Sequence, residues 1–227
     1  MALLDTHRRH HYRVLALSDQ VEPRIYGPNL RHIAPNVDFI ISCGDLPYYY
    51  LEYIVSILDR PLLYVHGNHD RPEERSGGVI VAEPPGGINL HRRVHRHEGL
   101  LIAGLEGSHR YNRNPHYQYT QREMWLLVLG LVPLLLRNRL LYGRGLDILV
   151  THAPPFGIHD GADIPHIGFR AFHFLLRHFP PRYLLHGHQH VYTRTETTRT
   201  RLGLTEIINV YPFRVLDLDF APPVSPS

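Results

Sequence analysis

At 227 residues, with 43% hydrophobic and 20% charged residues, the chain has the makeup of an ordinary globular protein able to bury one sizeable core. All 24 basic residues are arginine, scattered for a formal net charge of only +3, which argues against a dedicated polyanion surface and excludes any mechanism built on a catalytic lysine. The single cysteine, Cys43, excludes an internal disulfide framework and suits a reducing compartment, so a cytoplasmic location is expected.

In chain order, the polar segment 1–11 has no apolar h-region, so no signal peptide is expected. Residues 12–18 read as a buried strand that stops at Asp19, and the stretch 20–29, with Pro23, Gly27 and Pro28, reads as a loop. A short helix over 29–34 and a strand over 38–42 lead to Cys43-Gly44-Asp45. Pro47 suits a helix start, and 48–58 continues at helical spacing. A strand over 62–66 delivers Gly67-Asn68-His69-Asp70. Alternating strand and helix argues a parallel sheet with right-handed crossovers. From 77 to 107 the runs 79–82, 88–94 and 100–104 read as strands without helices between them. Thr120-Gln121-Arg122-Glu123 forms a capping box before an apolar helix over 124–136. That run contains Pro133 and falls short of the ~20 apolar residues a bilayer needs, so no membrane is expected. It reads as a mostly buried helix, with a dimer face or an apolar substrate wall as the alternative.

A strand over 146–150 ends at Thr151-His152, a helix covers 167–178, and the strand 183–186 ends at Gly187-His188-Gln189-His190. The stretch 191–220 reads as three antiparallel strands completing a second sheet. Residues 1–220 are expected to form one domain, with 221–227 a frayed tail.

Several of the 19 histidines, His7, His10, His11 and those in the Arg-rich segment 91–97, lie in polar segments and read as surface residues. The informative ones stand at strand ends: Asp19, Gly44-Asp45, Gly67-Asn68-His69-Asp70, His152 and Gly187-His188-Gln189-His190. Strands of one sheet bring their carboxyl ends together, so these five sets can converge. Carboxylate, amide oxygen and imidazole without thiolate suit divalent Mn, Fe, Zn or Ni. Two such ions ~3.5–4 Å apart polarise a phosphoryl group and supply a hydroxide at neutral pH.

Asp at the first strand end, Gly-Asp, Gly-Asn-His-Asp, a lone His and Gly-His-Gln-His, in that order, resemble the calcineurin-like metallophosphoesterases. The resemblance runs from Asp19 to His190. It implies an α/β fold, a four-layer α/β/β/α sandwich of two mixed sheets. It implies two divalent metals bridged by Asp45, one completed by Asn68, His152 and His188, the other by Asp19 and His190. It implies that His69 contacts the scissile phosphate and can protonate the leaving oxygen, with Asp70 orienting that imidazole. The first motif departs from the family's D-x-H: here it is Asp19-Gln20-Val21. In an extended segment Val21 takes the missing ligand's position, which leaves the Asp19/His190 site weak. Glu22 is the nearest replacement, although a glutamate in a solvated loop is the favoured reading. Glu106-Gly107-Ser108-His109 and His159-Asp160 are near enough to line a pocket, but turn residues need no function. His66 and His186 read as packed beneath the site. The expected function is hydrolysis of a small phosphomonoester or phosphodiester by metal-bound hydroxide, with His69 assisting. Nucleic acid is not indicated as a substrate. The rival is a catalytically silent binding module on the same fold, for which Val21 is the only support.

Overall fold

A computed structural model of the chain describes residues 11–76, 79–113, 116–191 and 195–220. The tail expected at 221–227 and the first ten residues lie outside the described residues. Strand β1 (His11–Leu17) is followed by α1 (Leu30–Ile33), β2 (Phe39–Ser42), α2 (Tyr48–Leu58) and β3 (Leu62–Tyr64). A run of short strands comes next: β4 (Glu74–Ser76), β5 (Val79–Val81), β6 (Gly87–Asn89), β7 (Val94–His97), β8 (Leu100–Leu105), β9 (Ser108–His109) and β10 (Gln118–Tyr119). Helix α3 (Gln121–Tyr142), β11 (Ile148–Thr151), α4 (Ala171–His178), β12 (Tyr183–His186), β13 (Arg199–Leu202), β14 (Thr205–Asn209) and β15 (Phe213–Asp219) complete the fold.

Two mixed sheets form. The first has the order β15-β1-β2-β3-β6 and the second β13-β14-β12-β11-β8-β7. Inside each, four neighbouring strands run parallel, and antiparallel strands close the edges. Strand residues alternate between two layers, as a period of two requires. In β1, Tyr12, Val14 and Ala16 point into the space between the sheets with Phe39, Leu63, Ile102, Val150 and Leu185. Leu15 and Leu17 point the other way, against Leu30 of α1 and Leu51 and Ile54 of α2. On the outer face of the second sheet, Leu105, Leu149 and Leu184 pack on Met124 and Leu131 of α3 and Phe172 of α4. The result is the α/β/β/α sandwich, with parallel strands buried on both faces.

Four expectations are corrected. The run 88–94 is not one strand: β6 pairs parallel with β3 and β7 antiparallel with β8, so the chain crosses between sheets there. The last three strands do not form one antiparallel set. β14 runs parallel to β12, and β15 returns to the first sheet beside β1 over seven paired residues. Helix α4 begins at Ala171 rather than 167, because Phe169 is held extended in a bridge to Pro155. Helix α3 spans 22 residues, since Arg137-Asn138-Arg139 carry it on to a left-handed cap at Gly143. By length and composition it could cross a membrane, so the length argument fails. Nor is the helix mostly buried: a single stripe, Met124, Val128, Leu131 and Leu135 at i, i+4, i+7, i+11 spacing, is fully buried against the second sheet. Leu126, Leu129, Leu136 and Leu140 face outward. The capping box is present, with Glu123 N donating to Thr120 Oγ1 (3.2 Å) and Thr120 N to Glu123 Oε2 (2.7 Å).

Candidate metal centre

The carboxyl ends of β1, β2, β3, β11 and β12 deliver the five motifs to one place. Each turn there is sharp. Asp19, Asp45 and His188 adopt φ of 65°, 58° and 65°, the left-handed region that non-glycine residues seldom occupy. A Cβ on Gly67 would collide with the Asp45 carboxylate, and one on Gly187 with Ser18 and Asp19, so only glycine permits these approaches.

Carboxylates tie the loops to one another. Asp19 Oδ2 accepts from His188 N (2.9 Å), and Asp45 Oδ1 accepts from His69 N (2.7 Å). Asp70 Oδ2 accepts from Gly67 N (2.8 Å) and Asp45 N (3.1 Å). One ligand atom each from Asp19, Asp45, His152 and His188 lie within 4.8 Å of one another. Asn68 and His190 join from either side: Asn68 Oδ1 is 2.9 Å from His152 Nε2, and His190 Nε2 is 3.8 Å from Asp19 Oδ1. His190 is half-exposed and stacked on Tyr211.

The two buried imidazoles are pre-set as ligands. A carbonyl only accepts, so His152 Nδ1 donates to Cys43 O (2.8 Å) and His188 Nε2 donates to Pro165 O (2.8 Å). At His188 this leaves the opposite nitrogen with the lone pair; at His152 the opposite nitrogen, Nε2, lies beside Asn68 Oδ1 and Asp45 and offers a lone pair once its proton is displaced. Such outer hydrogen bonds are how metal-binding histidines are oriented. Burial works against an imidazolium at His152, but the Asp45 carboxylate, with Oδ2 3.3 Å from His152 Nε2, outweighs it and pushes His152 up to about 9. Burial would likewise raise Asp45, yet His152 holds it down at about 2. A proton and a divalent cation compete for that nitrogen, since a ligand must be deprotonated. Burial pushes His188 down to about 4, which keeps it neutral. Two carboxylates, an amide oxygen and neutral imidazoles make a donor set that fits a borderline-hard dication.

Comparison with known proteins agrees with this geometry. The model of the calcineurin-like phosphoesterase family matches residues 5–192. The chain belongs to that family. A relative in Methanocaldococcus jannaschii, described as an uncharacterised protein, is 25% identical over 197 residues, 82% of each chain. Among solved structures, one superposes with a TM-score of 0.62 at 15% identity, covering 93% of this chain and 100% of the other. The phosphopantetheinyl hydrolase of Mycobacterium tuberculosis superposes with a TM-score of 0.53 at 14% identity, covering 94% and 99%. At such identities the likeness is one of fold. Members of a calcineurin-like phosphoesterase family hydrolyse phosphoesters with divalent metals, and the Asp19, Asp45, His152 and His188 cluster is a candidate site for such ions.

Some expected residues stand elsewhere. His69 is exposed, and no hydrogen bond joins it to Asp70 among the described residues, because Asp70 is committed to backbone N–H groups. Burial, with the Asp45 charge beside it, raises Asp70 to about 7. Val21 does not take the missing ligand's position; it packs against the core layer that holds Leu17, Ile25 and Tyr50. The left-handed turn at Asp19, with Gln20 N bonded to Ser18 O, breaks the extended parity that would have aimed Val21 at the metal. Glu22 binds Arg24 through Oε1 (2.8 Å) and stays out of the cluster. His159 links His186 to Thr200, and Asp160 accepts from Gly168 N.

Sequence reasoning missed the Glu106 network and Tyr111. Glu106 is buried and accepts from Tyr119 Oη (2.6 Å) and His66 Nδ1 (3.2 Å), with His91 Nε2 at 3.5 Å. Tyr111 Oη accepts from Asn68 Nδ2 (3.1 Å). The run Glu106-Gly107-Ser108-His109 pointed toward the first of these. Nothing local in sequence marks Tyr111.

Proposed function

We propose that this chain is a metal-dependent phosphoesterase acting on a small phosphomonoester or phosphodiester. What carries the reading is the convergence of Asp19, Asp45, His152 and His188, with one nitrogen of each imidazole held by a backbone carbonyl and the other left for a ligand. Asp45 would be the carboxylate shared by two ions; Asn68, His152 and His188 would hold one, and Asp19 and His190 the other. Bound there, divalent cations such as Mn, Fe, Zn or Ni supply Lewis-acid polarisation of the phosphoryl oxygens and an acidified water. The chain's own residues bind and orient. Asp45 and Asp70 fix each other's loops, and the exposed His69 imidazole is free to give a proton to the departing oxygen. The first-motif site has fewer protein ligands, because Val21 is turned into the core and His190 is half-exposed, so its ion leaves first on dialysis. Buried Cys43 fits a reducing compartment such as the cytoplasm.

Metal analysis of the purified protein, paired with hydrolysis of 4-nitrophenyl phosphate and bis(4-nitrophenyl) phosphate under added Mn²⁺, tests this reading. Bound dications with turnover of either ester support it. Bound metal with neither ester turned over favours the silent binding module, and a protein without metal affinity overturns both.

A further inference from the structure

A carboxamide has an acceptor end and a donor end, and turning it over exchanges them. Asn68 can serve a cation only through Oδ1. The amide is 8% exposed, and its oxygen faces His152 Nε2 at 2.9 Å. Turned over, it would present two N–H groups to the imidazole and to the site of the ion. The hydrogen bond from Nδ2 to Tyr111 Oη (3.1 Å) anchors the far end of the amide; because a phenol both donates and accepts, it fixes where the carboxamide sits, while the ion itself selects the oxygen end.

Tyr111 is itself held in place. It lies between β9 and β10, which pair parallel through Ser108 with Gln118 and His109 with Tyr119. Buried Gln118 turns Oε1 back to accept from both Tyr111 N and Asn112 N, at 3.2 Å each. Arg110 Nη2 donates to both oxygens of Glu123 (2.8 and 2.9 Å), the residue that closes the capping box of α3. A chain of bonds thus runs from a helix N-terminus to one phenol and ends on the amide of a metal-site loop. The ring remains 37% exposed, more than a phenol kept only for packing would need.

We propose that Tyr111 is a positioning residue of the metal centre: its hydroxyl anchors the Asn68 carboxamide at the distance from which Oδ1 reaches the ion. The proposal rests on the metal-centre reading above and adds a residue outside the five motifs. The role belongs to the oxygen of Tyr111, not to its ring, so Tyr111→Phe removes it and leaves packing intact.

The test is titration of metal-stripped wild type and Tyr111→Phe with Mn²⁺ alone, following free Mn²⁺ by electron paramagnetic resonance. The expected result is one dissociation constant weakened roughly 10- to 100-fold, as for loss of an outer partner of a metal ligand, and the other unchanged. Metal-free unfolding midpoints should coincide. The Mn²⁺ concentration for half-maximal hydrolysis should rise by the same factor, with kcat returning to the wild-type value at saturating metal. Metal rescue confined to one site is something a purely structural tyrosine would not produce. Equal dissociation constants in the two proteins, or a kcat that saturating Mn²⁺ fails to restore, would overturn the proposal while leaving the metal centre standing. Mn²⁺ uptake by neither protein would overturn the metal-centre reading, and this proposal with it.

Discussion

Asp19, Asp45 and His188 are held at positive φ, a conformation that costs on the order of 1–3 kcal/mol at each non-glycine residue. The side chains around them offset that cost. Asp70 is the clearest case, since its one oxygen accepts from the backbone of the second motif and of the third. Asp70→Ala therefore leaves two buried N–H groups unpaired, and each carries a penalty of about 1–3 kcal/mol. Urea unfolding should show that loss, and metal analysis should show depleted metal. His69→Ala should behave in the opposite way. Its ring is exposed and makes no hydrogen bond among the described residues, so stability and metal content should stay, while turnover falls ~10²-fold or more. Metal loss in His69→Ala would make it a ligand, and an unaffected Asp70→Ala would make the carboxylate incidental to the loops. The sequence marked both residues by their place in Gly-Asn-His-Asp but misjudged how they divide the work. Which groups a carboxylate bonds depends on a neighbouring loop 25 residues away in the chain.

Elements with a strong local signal were legible: α2 over Tyr48–Leu58, the capping box of α3, and the strands that end in the motifs. Sheet membership was not. The alternation of β15 states only that one face is buried, and its partner β1 lies some two hundred residues earlier in the chain. The crossing between β6 and β7 was hidden for the same reason, because pairing partners are set by tertiary packing. The true length of α3 was masked by Arg137 and Arg139, which end an apolar run without ending a helix. That helix carries a stability prediction. Gly130 sits on its exposed face with nothing near the position a Cβ would take, and its φ is not positive. Gly130→Ala should therefore stabilise the protein by about 0.5–1 kcal/mol, through lower entropy of the unfolded chain. A higher urea midpoint at an unchanged m-value checks this; a lower one would mean that Pro133 three residues on has already distorted the turn.

Across the whole molecule the two sheets meet at their carboxyl ends, and a buried carboxylate spans the join. Glu106 follows β8 of the second sheet, while His66 follows β3 of the first, and His91 lies on the chain that crosses between them. Burial alone would raise Glu106, but hydrogen bonds from His66 and Tyr119 and the proximity of His91 outweigh it and lower its pKa from 4.5. Burial lowers His91, so near neutral pH it is uncharged and the network holds the glutamate's negative charge. An acid depressed on folding stabilises above its unfolded pKa, and that contribution is lost as pH falls through the folded value. Glu106→Gln replaces the acceptor of His66 or Tyr119 by an amide donor, which should cost about 1.5–3 kcal/mol at pH 7, the worth of a hydrogen bond to a charged group. The gap between wild type and variant should stay constant down to pH near 4.5 and close below it, because there the unfolded wild type takes up the proton that the folded carboxylate resists. Urea unfolding at pH 7 and at more acid values, with chelator present to remove any metal contribution, reads the difference directly. A gap that persists unchanged on acidification would show that folding leaves the proton affinity of Glu106 unaltered, and that shape rather than charge joins the two sheets.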